Sequence, residues 1–194
     1  MDEVVKKASE YVTGLLTKNL PSDYKYHNLG HTHQVVDAVG EIGKNSGIDE
    51  DELELLYLSA WFHDAGFVKG YKGHESKSIE IADKFLNDSN YPPERTEIVN
   101  KIISVTDLAK RPNNILEKII RDADIIHIGK ADFFERSYSL KYEWEITGVK
   151  KFTDDEWIKS SLTFLTQNYF FTDYAKSRYE EGRLSNISKL KKML

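Results

Sequence analysis

Apolar residues recur along the chain at intervals of three and four, and no segment alternates regularly between apolar and polar side chains. The three-to-four spacing is typical of helices that bury one face, whereas strict alternation would indicate half-buried strands. Four prolines, two of them adjacent, divide the pattern into segments of helical length. We therefore expect an all-α protein, folded as a single-domain helical bundle over residues 1–194.

Three helices are predicted in the first third of the chain. The first covers residues 3–18, and the second ends near Gly47. The third begins at Asp49, because Glu52 stands at the spacing of a capping box, and Gly66 can end it. Four apolar residues of the second helix are predicted to face the core, namely Val35, Ala38, Val39 and Ile42.

Three more helices are predicted up to residue 129. The fourth opens at His74 and is broken by the prolines at 92–93. Its predicted inward residues are Ile79, Ala82, Phe85 and Leu86. Those of the fifth are Ile98, Ile102, Val105 and Thr106. The sixth covers roughly 114–128 and carries Asp122 and Asp124 on two faces that are both apolar, so periodicity does not choose between these carboxylates.

The remaining residues, 131–194, are predicted to form three helices with aromatic inward faces. The first two carry Phe133, Phe134, Tyr138, Trp157, Leu162 and Leu165, and the third runs through Tyr169 to Leu190. A charged run in this region is predicted to be solvated surface, and it consists of Glu143, Glu145, Lys150 and Lys151.

Composition narrows the class of protein. The chain has 194 residues, 40% of them hydrophobic, which is enough for one sizeable core. The net charge of -5 argues against binding to long nucleic acids. Cysteine is absent, which excludes disulfides and thiolate metal sites. No secretory signal or membrane-spanning stretch is recognised, so we expect a cytoplasmic protein that does not bind membranes.

His63 and Asp64 carry the first indication of chemistry. They follow a largely apolar stretch, residues 53–62, and are therefore predicted to lie at the edge of the core. Burying an unpaired imidazole or carboxylate is costly. A divalent ion satisfies both groups at once, because imidazole nitrogen and carboxylate oxygen are both suitable ligands.

Other polar residues point toward the same place. His31 lies on the apolar stripe of the second predicted helix, whereas His33 faces away and is predicted to be solvated. Together with His63, Asp64 and an aspartate of the sixth helix, His31 would bring ligands from three helices together, as metal sites in bundles do. The alternative for His31 is a core histidine bonded to a backbone carbonyl.

The order His…His-Asp…Asp resembles the HD superfamily of metal-dependent phosphohydrolases. The motifs are Ala-Trp-Phe-His-Asp-Ala-Gly at 60–66 and Asp-Ala-Asp-Ile-Ile-His-Ile-Gly at 122–129. The resemblance implies an HD-type fold with a motif core at about 24–130 and a helical extension at 131–194. It also implies four ligands for a divalent ion (Mn, Fe, Mg, Co, Ni or Zn), which are His31, His63, Asp64 and Asp124. Asp124 is thereby favoured over Asp122.

Two further segments carry implied catalytic roles. The Tyr-His-Asn-Leu-Gly-His segment at 26–31 is similar to the opening of class I cyclic-nucleotide phosphodiesterases, whose first histidine is the general acid, a role that falls to His27. The Gly-His-Glu-x-x-Ser segment resembles bacterial HD phosphohydrolases. There His74 is a second candidate for proton transfer, and Glu75 is a candidate base or a partner of His74. The alternative for all three is an exposed position at a helix start.

The expected reaction is phosphoester hydrolysis by a water that the ion holds and that Asp64 orients. Two-metal members of the HD superfamily usually have further histidines between the His-Asp pair and the last aspartate. Here His74 is the only histidine in that interval, so a second fully ligated ion is not expected. The expected partner is a nucleotide or another small phosphoester. The alternatives are a cyclic-nucleotide or dinucleotide phosphodiesterase, a non-catalytic metal-binding sensory module, and, disfavoured by the missing histidines, a di-iron oxygenase. Candidate phosphate contacts, or else ordinary surface charges, are Lys69, Lys72, Lys110 and Arg111.

Overall fold

The computed structural model describes residues 3–194, and all regular structure in that part of the chain is helical, which confirms the all-α prediction. The described residues form nine α-helices: α1 (Glu3–Asn19), α2 (Leu29–Lys44), α3 (Glu50–Phe62), α4 (His74–Asp88), α5 (Pro93–Ser104), α6 (Ile115–Asp124), α7 (Phe133–Ile146), α8 (Asp154–Gln167) and α9 (Asp173–Lys192). None of these helices is both long enough and apolar enough to cross a bilayer. The expectation about a secretory signal rests partly on Met1 and Asp2, which lie outside the described residues.

Side-chain caps fix the starts of the helices that matter for the site. Asn28 caps α2 by accepting a hydrogen bond from the backbone N–H of His31. Asp49 and Glu52 form the predicted reciprocal capping box at the start of α3. Such caps stabilise a helix by about 1 kcal/mol each. The cap on α2 also fixes the first helical turn, in which His31 lies.

The core lies between α2 and its neighbours. Helix α2 packs against α3 and α6, and α3 packs in turn against α1 and α5. The predicted inward face of α2 is confirmed, because all four of its apolar residues are buried. The C-terminal helices contribute to the same hydrophobic core through Phe133, Leu165 and Ile187. His33 is exposed on the opposite side of α2, as predicted.

Several local predictions were wrong. Ile98 is 37% exposed, although the other three residues predicted to face inward in this region are buried. Val99 and Ile103 lie in the core in addition to them. Tyr138 is 40% exposed, since Ser137 takes the inward position on α7. The third helix ends at Phe62, before Gly66, and Gly66 itself lies in a 3₁₀ helix, Ala65–Lys69. The sixth helix ends at Asp124 and is followed by a second 3₁₀ helix, Ile126–Gly129.

Asp122 ties α6 to the start of α9. Its carboxylate accepts hydrogen bonds from the backbone N–H of Phe171 (2.7 Å) and from the N–H and hydroxyl of Thr172 (2.8 and 2.7 Å). Thr172 is itself the N-cap of α9. Burial raises the pKa of Asp122 to about 6, against the effect of these three donors. Asp122 is therefore a structural residue, fully buried on the side of α6 that faces the C-terminal helices.

We expect Asp122→Ala to lower the free energy of unfolding by about 3 kcal/mol, because two backbone donors lose their acceptor inside the protein. For a chain of this size that corresponds to a fall in Tm of about 6–12 °C, measurable by circular dichroism. Asp37→Ala, at an exposed position on α2, is the control and should change the stability by less than about 0.5 kcal/mol. An unchanged Tm in Asp122→Ala would show that this connection does not hold α9 in place.

Candidate metal centre

Four polar side chains reach one point from three helix ends. His31 lies in the first turn of α2, His63 and Asp64 directly follow α3, and Asp124 is the last residue of α6. The turn after His63 is tight, because a Cβ on Gly66 would lie 2.0 Å from the backbone oxygen of His74. Glycine at this position therefore lets the start of α4 pack directly against the His-Asp turn.

The ligand-type atoms of this group lie within metal-binding reach of one another. His31 Nε2 lies 3.3 Å from His63 Nε2 and 3.2 Å from Asp124 Oδ1. The ligand atoms of His31, His63 and Asp124 all lie within 4.8 Å of one another. Asp64 Oδ2 adds a fourth atom, 3.2 Å from His63 Nε2 and 3.4 Å from His31 Nε2. The structure therefore brings the four predicted residues together at one place.

The donor set fits a divalent ion. Asp64 Oδ2 is buried, yet no donor among the described residues reaches it in hydrogen-bonding geometry. A buried carboxylate oxygen without a partner is costly, and a cation between it and the imidazoles would remove that cost. His63 donates from Nδ1 to the backbone oxygen of Ala60 at 2.8 Å, so Nε2 is the ring nitrogen directed at the cluster.

Electrostatics within the cluster also favour a cation. Burial opposes ionisation of Asp64 and Asp124, but the neighbouring imidazoles of His63 and His31 lower the pKa of both carboxyls. Burial likewise lowers the pKa of His31. For His63, burial acts in the same direction, but the carboxylates of Asp64 and Asp124 outweigh it and raise the pKa to about 9. Two ionised carboxylates thus lie beside two imidazole nitrogens.

Arg136 is a neighbour that sequence reasoning missed. Its Nη2 lies 3.2 Å from His31 Nδ1, and its guanidinium lies 4.8 Å from the centre of the Tyr26 ring. A neutral imidazole that accepts a hydrogen bond at Nδ1 carries its proton on Nε2. A metal ion at Nε2 of His31 requires the opposite tautomer, so binding of an ion would break the contact with Arg136.

The largest correction concerns Glu143. It was predicted to be solvated surface, but it is fully buried on α7. Its carboxylate lies 2.5 Å from His27 Nδ1 and accepts the backbone N–H groups of Tyr26 (2.8 Å) and His27 (3.0 Å). Tyr71 donates its hydroxyl to the same carboxylate at 3.2 Å. Burial opposes ionisation of Glu143, but the contact with His27 outweighs it and lowers its pKa. Glu143 thus fixes the position of the His27 ring.

His74 and Glu75 lie at the edge of the cluster. His74 Nε2 is 3.7 Å from Asp64 Oδ1, and its Nδ1 is 3.6 Å from a Glu75 carboxylate oxygen. The ring of Phe67 stacks on both imidazoles, with its centroid 4.3 Å from that of His27 and 4.0 Å from that of His74. Both candidate proton-transfer histidines are therefore held on the side of the cluster that faces the cavity.

A cavity of about 400 Å³ opens onto the cluster. His27, Asp64, His74, Glu75 and Asp124 contribute to its lining. The basic residues proposed from the sequence do not line it. Lys69 pairs with Glu80 at the surface (3.0 Å), Lys72 is exposed, and Lys110 and Arg111 line a separate shallow hollow. The interpretation of these four as ordinary surface charges therefore agrees better with the structure.

Comparisons with known proteins agree with this fold. The family model described as HD domain matches residues 28–129, which is more than half of the chain. A crystal structure of a protein from Lactobacillus plantarum aligns with a TM-score of 0.75 at 17% identity, covering 100% of this chain and 96% of that one. Bacillus subtilis YpgQ, crystallised in complex with ADP, aligns with a TM-score of 0.65 at 22% identity, covering 99% of this chain and 95% of YpgQ. No curated protein matches the sequence significantly.

Proposed function

The chain belongs to the HD domain family, and we propose that it is a metal-dependent phosphohydrolase acting on a nucleotide or another small phosphoester. One observation carries the proposal: two imidazoles and a carboxylate from three helix ends place their ligand atoms within 4.8 Å of one another. Such a set would hold a divalent ion, which would supply Lewis-acid chemistry to a bound phosphoester. The unpartnered oxygen of Asp64 beside it supplies a fourth ligand.

When bound, a divalent ion lowers the pKa of water toward neutrality and neutralises charge on phosphoryl oxygens. In this proposal His31, His63, Asp64 and Asp124 hold the ion. Asp64 has a second oxygen, Oδ1, which lies 3.7 Å from His74 Nε2. Through this oxygen Asp64 orients the attacking water, while His74 accepts or returns a proton at the cavity wall. The Nδ1 atom of His74 is held by the backbone oxygen of Tyr71 at 3.3 Å, and a carboxylate oxygen of Glu75 lies beside it at 3.6 Å.

His27 is proposed to protonate the leaving oxygen. Its Nδ1 is engaged by Glu143, so its Nε2 is the atom available for proton transfer. A carboxylate behind an imidazole fixes the tautomer and the ring orientation, and it stabilises the protonated form. Glu143 is therefore a positioning residue, which acts on the reaction through His27.

The substrate class rests on the cavity and on one structural neighbour. The acidic net charge of -5 disfavours long nucleic acids, which need a basic surface. YpgQ, which shares the fold, was crystallised with ADP, and this supports a nucleotide as one candidate. The proposed position of His27 suits cleavage of cyclic nucleotides as well as monoesters, so cyclic-nucleotide phosphodiesterase activity is kept as the second candidate.

The test is metal analysis followed by a substrate panel. Purified protein is analysed for bound metals, stripped with a chelator and reloaded separately with manganese, iron, magnesium, cobalt, nickel and zinc. Nucleoside monophosphates, triphosphates, cyclic nucleotides and generic phosphomonoesters are then assayed with each ion. We expect monoester hydrolysis that the chelator abolishes. Cleavage of cyclic nucleotides without monoester activity would favour the second candidate, and failure of fully metallated protein on every substrate would favour a sensory module.

We expect Glu143→Gln to lower kcat about 10- to 100-fold, which is the usual effect of removing a carboxylate that orients a functional imidazole. KM and bound metal should stay near wild type, because Glu143 contacts neither the proposed ligands nor the cavity beside them. The split between kcat and KM, together with metal content, distinguishes positioning from general destabilisation. Glu145→Gln on the same helix removes only a surface pair with Lys141 and serves as the control. A Glu143→Gln enzyme with wild-type kcat would remove Glu143 from the proposed mechanism.

A further inference from the structure

The cavity continues from the proposed ligands into a chamber between α7 and α8. Its apolar wall, which we call the aromatic chamber, is formed by Phe133, Leu140, Trp144, Trp157, Phe164 and Leu165. The first three belong to α7 and the last three to α8. No step of the proposed hydrolysis uses these residues. An apolar surface beside the proposed phosphoester site indicates that the ligand carries an apolar group, which this surface binds.

The polar atoms of the chamber wall are already paired within the protein. Trp157 donates its indole N–H to Ser137 Oγ at 2.9 Å, and Trp144 donates its indole N–H to the hydroxyl of Tyr71 at 2.7 Å. The two indoles meet edge to face with centroids 5.6 Å apart. The surface that the two tryptophans present to the cavity is therefore carbon, and it suits a ligand group that binds by stacking and apolar contact.

The charge of the cavity sets a second condition. Four carboxylates line it, from Asp64, Glu75, Asp107 and Asp124, and no lysine or arginine among the described residues does so. One divalent ion offsets only part of this negative charge. Polyphosphate chains need several cationic partners, so a substrate with one phosphoryl group suits this cavity better than a triphosphate.

We propose that the substrate is a phosphate monoester whose leaving group carries an aromatic ring, as a nucleoside monophosphate does. This inference rests on the proposed function. The phosphoryl group lies at the His-Asp cluster and the ring lies in the aromatic chamber. Water attacks phosphorus, the P–O bond to the leaving group breaks, and inorganic phosphate and an alcohol that has gained one proton are released. The volume of about 400 Å³ is that of a small-molecule site.

The test compares esters that differ in the ring but not in leaving-group acidity. Benzyl phosphate is paired with ethyl phosphate, and adenosine 5′-monophosphate with ribose 5-phosphate, all with the metal-loaded enzyme. We expect kcat/KM to be about tenfold or more higher for the ring-bearing member of each pair, since stacking of one ring on aromatic side chains contributes that much. The value of kcat/KM should also be higher for adenosine monophosphate than for ATP. Equal values within both pairs, or a preference for ATP, would overturn the proposal while leaving phosphohydrolase activity intact.

Variants of α8 locate the effect. Phe164→Ala removes a half-buried ring from the chamber and should shrink the benzyl-to-ethyl ratio several-fold. Ser160→Phe fills the chamber from the same helix and should shrink it too. Leu162→Ala truncates a half-buried residue outside the cavity and should leave the ratio unchanged. If both chamber variants keep a wild-type benzyl-to-ethyl ratio and a normal Tm, the aromatic ring of the substrate binds elsewhere and the proposal is wrong.

A binding measurement keeps this inference separate from the proposed function. Two of the three tryptophans line the chamber, whereas Trp61 is buried beside His33. Benzylphosphonate, which cannot be hydrolysed at an ester bond, should change the tryptophan fluorescence at concentrations at which ethylphosphonate does not. If no ester is hydrolysed but only benzylphosphonate changes the fluorescence, the aromatic site is supported and the proposed hydrolysis is wrong. If neither compound changes the fluorescence of metal-loaded protein, the aromatic site is wrong.

Discussion

Replacing Asp64 by alanine should remove bound metal and phosphoester hydrolysis together. Asp64 Oδ2 is buried 3.2 Å from His63 Nε2 and 3.4 Å from His31 Nε2, and it has no other partner among the described residues. Without this carboxylate an ion is left with two neutral imidazoles and one carboxylate. We expect kcat/KM to fall by about 10³-fold or more, because the ion contributes several kcal/mol of transition-state stabilisation. Metal content after gel filtration should fall with it.

The control for this variant must be an aspartate with no structural role. Asp122 lies two residues from a proposed ligand, but its loss would release the start of α9 and confuse a metal measurement with instability. Asp37 is exposed on α2, the helix that carries His31, so Asp37→Ala should keep wild-type metal content and activity. An Asp64→Ala protein that binds metal and turns over substrate as the wild type does would show that the ligand assignment is wrong.

The sequence predicted the fold correctly where the structure depends on residues close together in the chain. The inward face of α2 has four apolar residues at helical spacing and only one way to bury them. The capping box of Asp49 and Glu52 involves residues three apart, so it is complete within the sequence window. The order of His31, His63, Asp64 and Asp124 pointed to a shared site through its resemblance to the HD superfamily. The structure adds that each of these residues lies where a helix begins or ends.

Periodicity failed where two sides of one helix are buried. Asp122 and Asp124 both lie on α6, and both face the interior. Asp122 meets the N-terminus of α9, and Asp124 meets His31. Spacing along the chain gives the angle between them but does not reveal which neighbour packs on which side. The resemblance to HD phosphohydrolases was therefore needed to favour Asp124.

Glu143 and Arg136 were missed for a related reason. Their partners, His27 and His31, lie more than a hundred positions earlier in the chain. Within its own window Glu143 stands among charged residues that look like solvated surface, and only the adjacent Trp144 indicated a buried position. A buried carboxylate is identified by the donors around it, and these donors come together only when α7 packs over the segment that precedes α2.

Removing the His27 imidazole should slow turnover without removing the metal. His27 lies before α2, with its ring centroid 6.0 Å from that of His31 and its Nδ1 held by Glu143. We expect His27→Ala to lower kcat by about 10²–10⁴-fold, the usual contribution of a positioned general acid. Metal content should stay at the wild-type level, because none of the close contacts within the His-Asp cluster involves His27.

Esters whose leaving groups differ in acidity distinguish proton donation by His27 from a purely structural role of this residue. An ester such as p-nitrophenyl phosphate releases a stable anion and needs little protonation, so His27→Ala should slow it much less than it slows an alkyl ester. His33→Ala, on the exposed side of α2, is the matched control and should behave as the wild type on both esters. An equal loss on both esters would argue against proton donation to the leaving oxygen. Loss of bound metal in His27→Ala would instead make His27 a ligand.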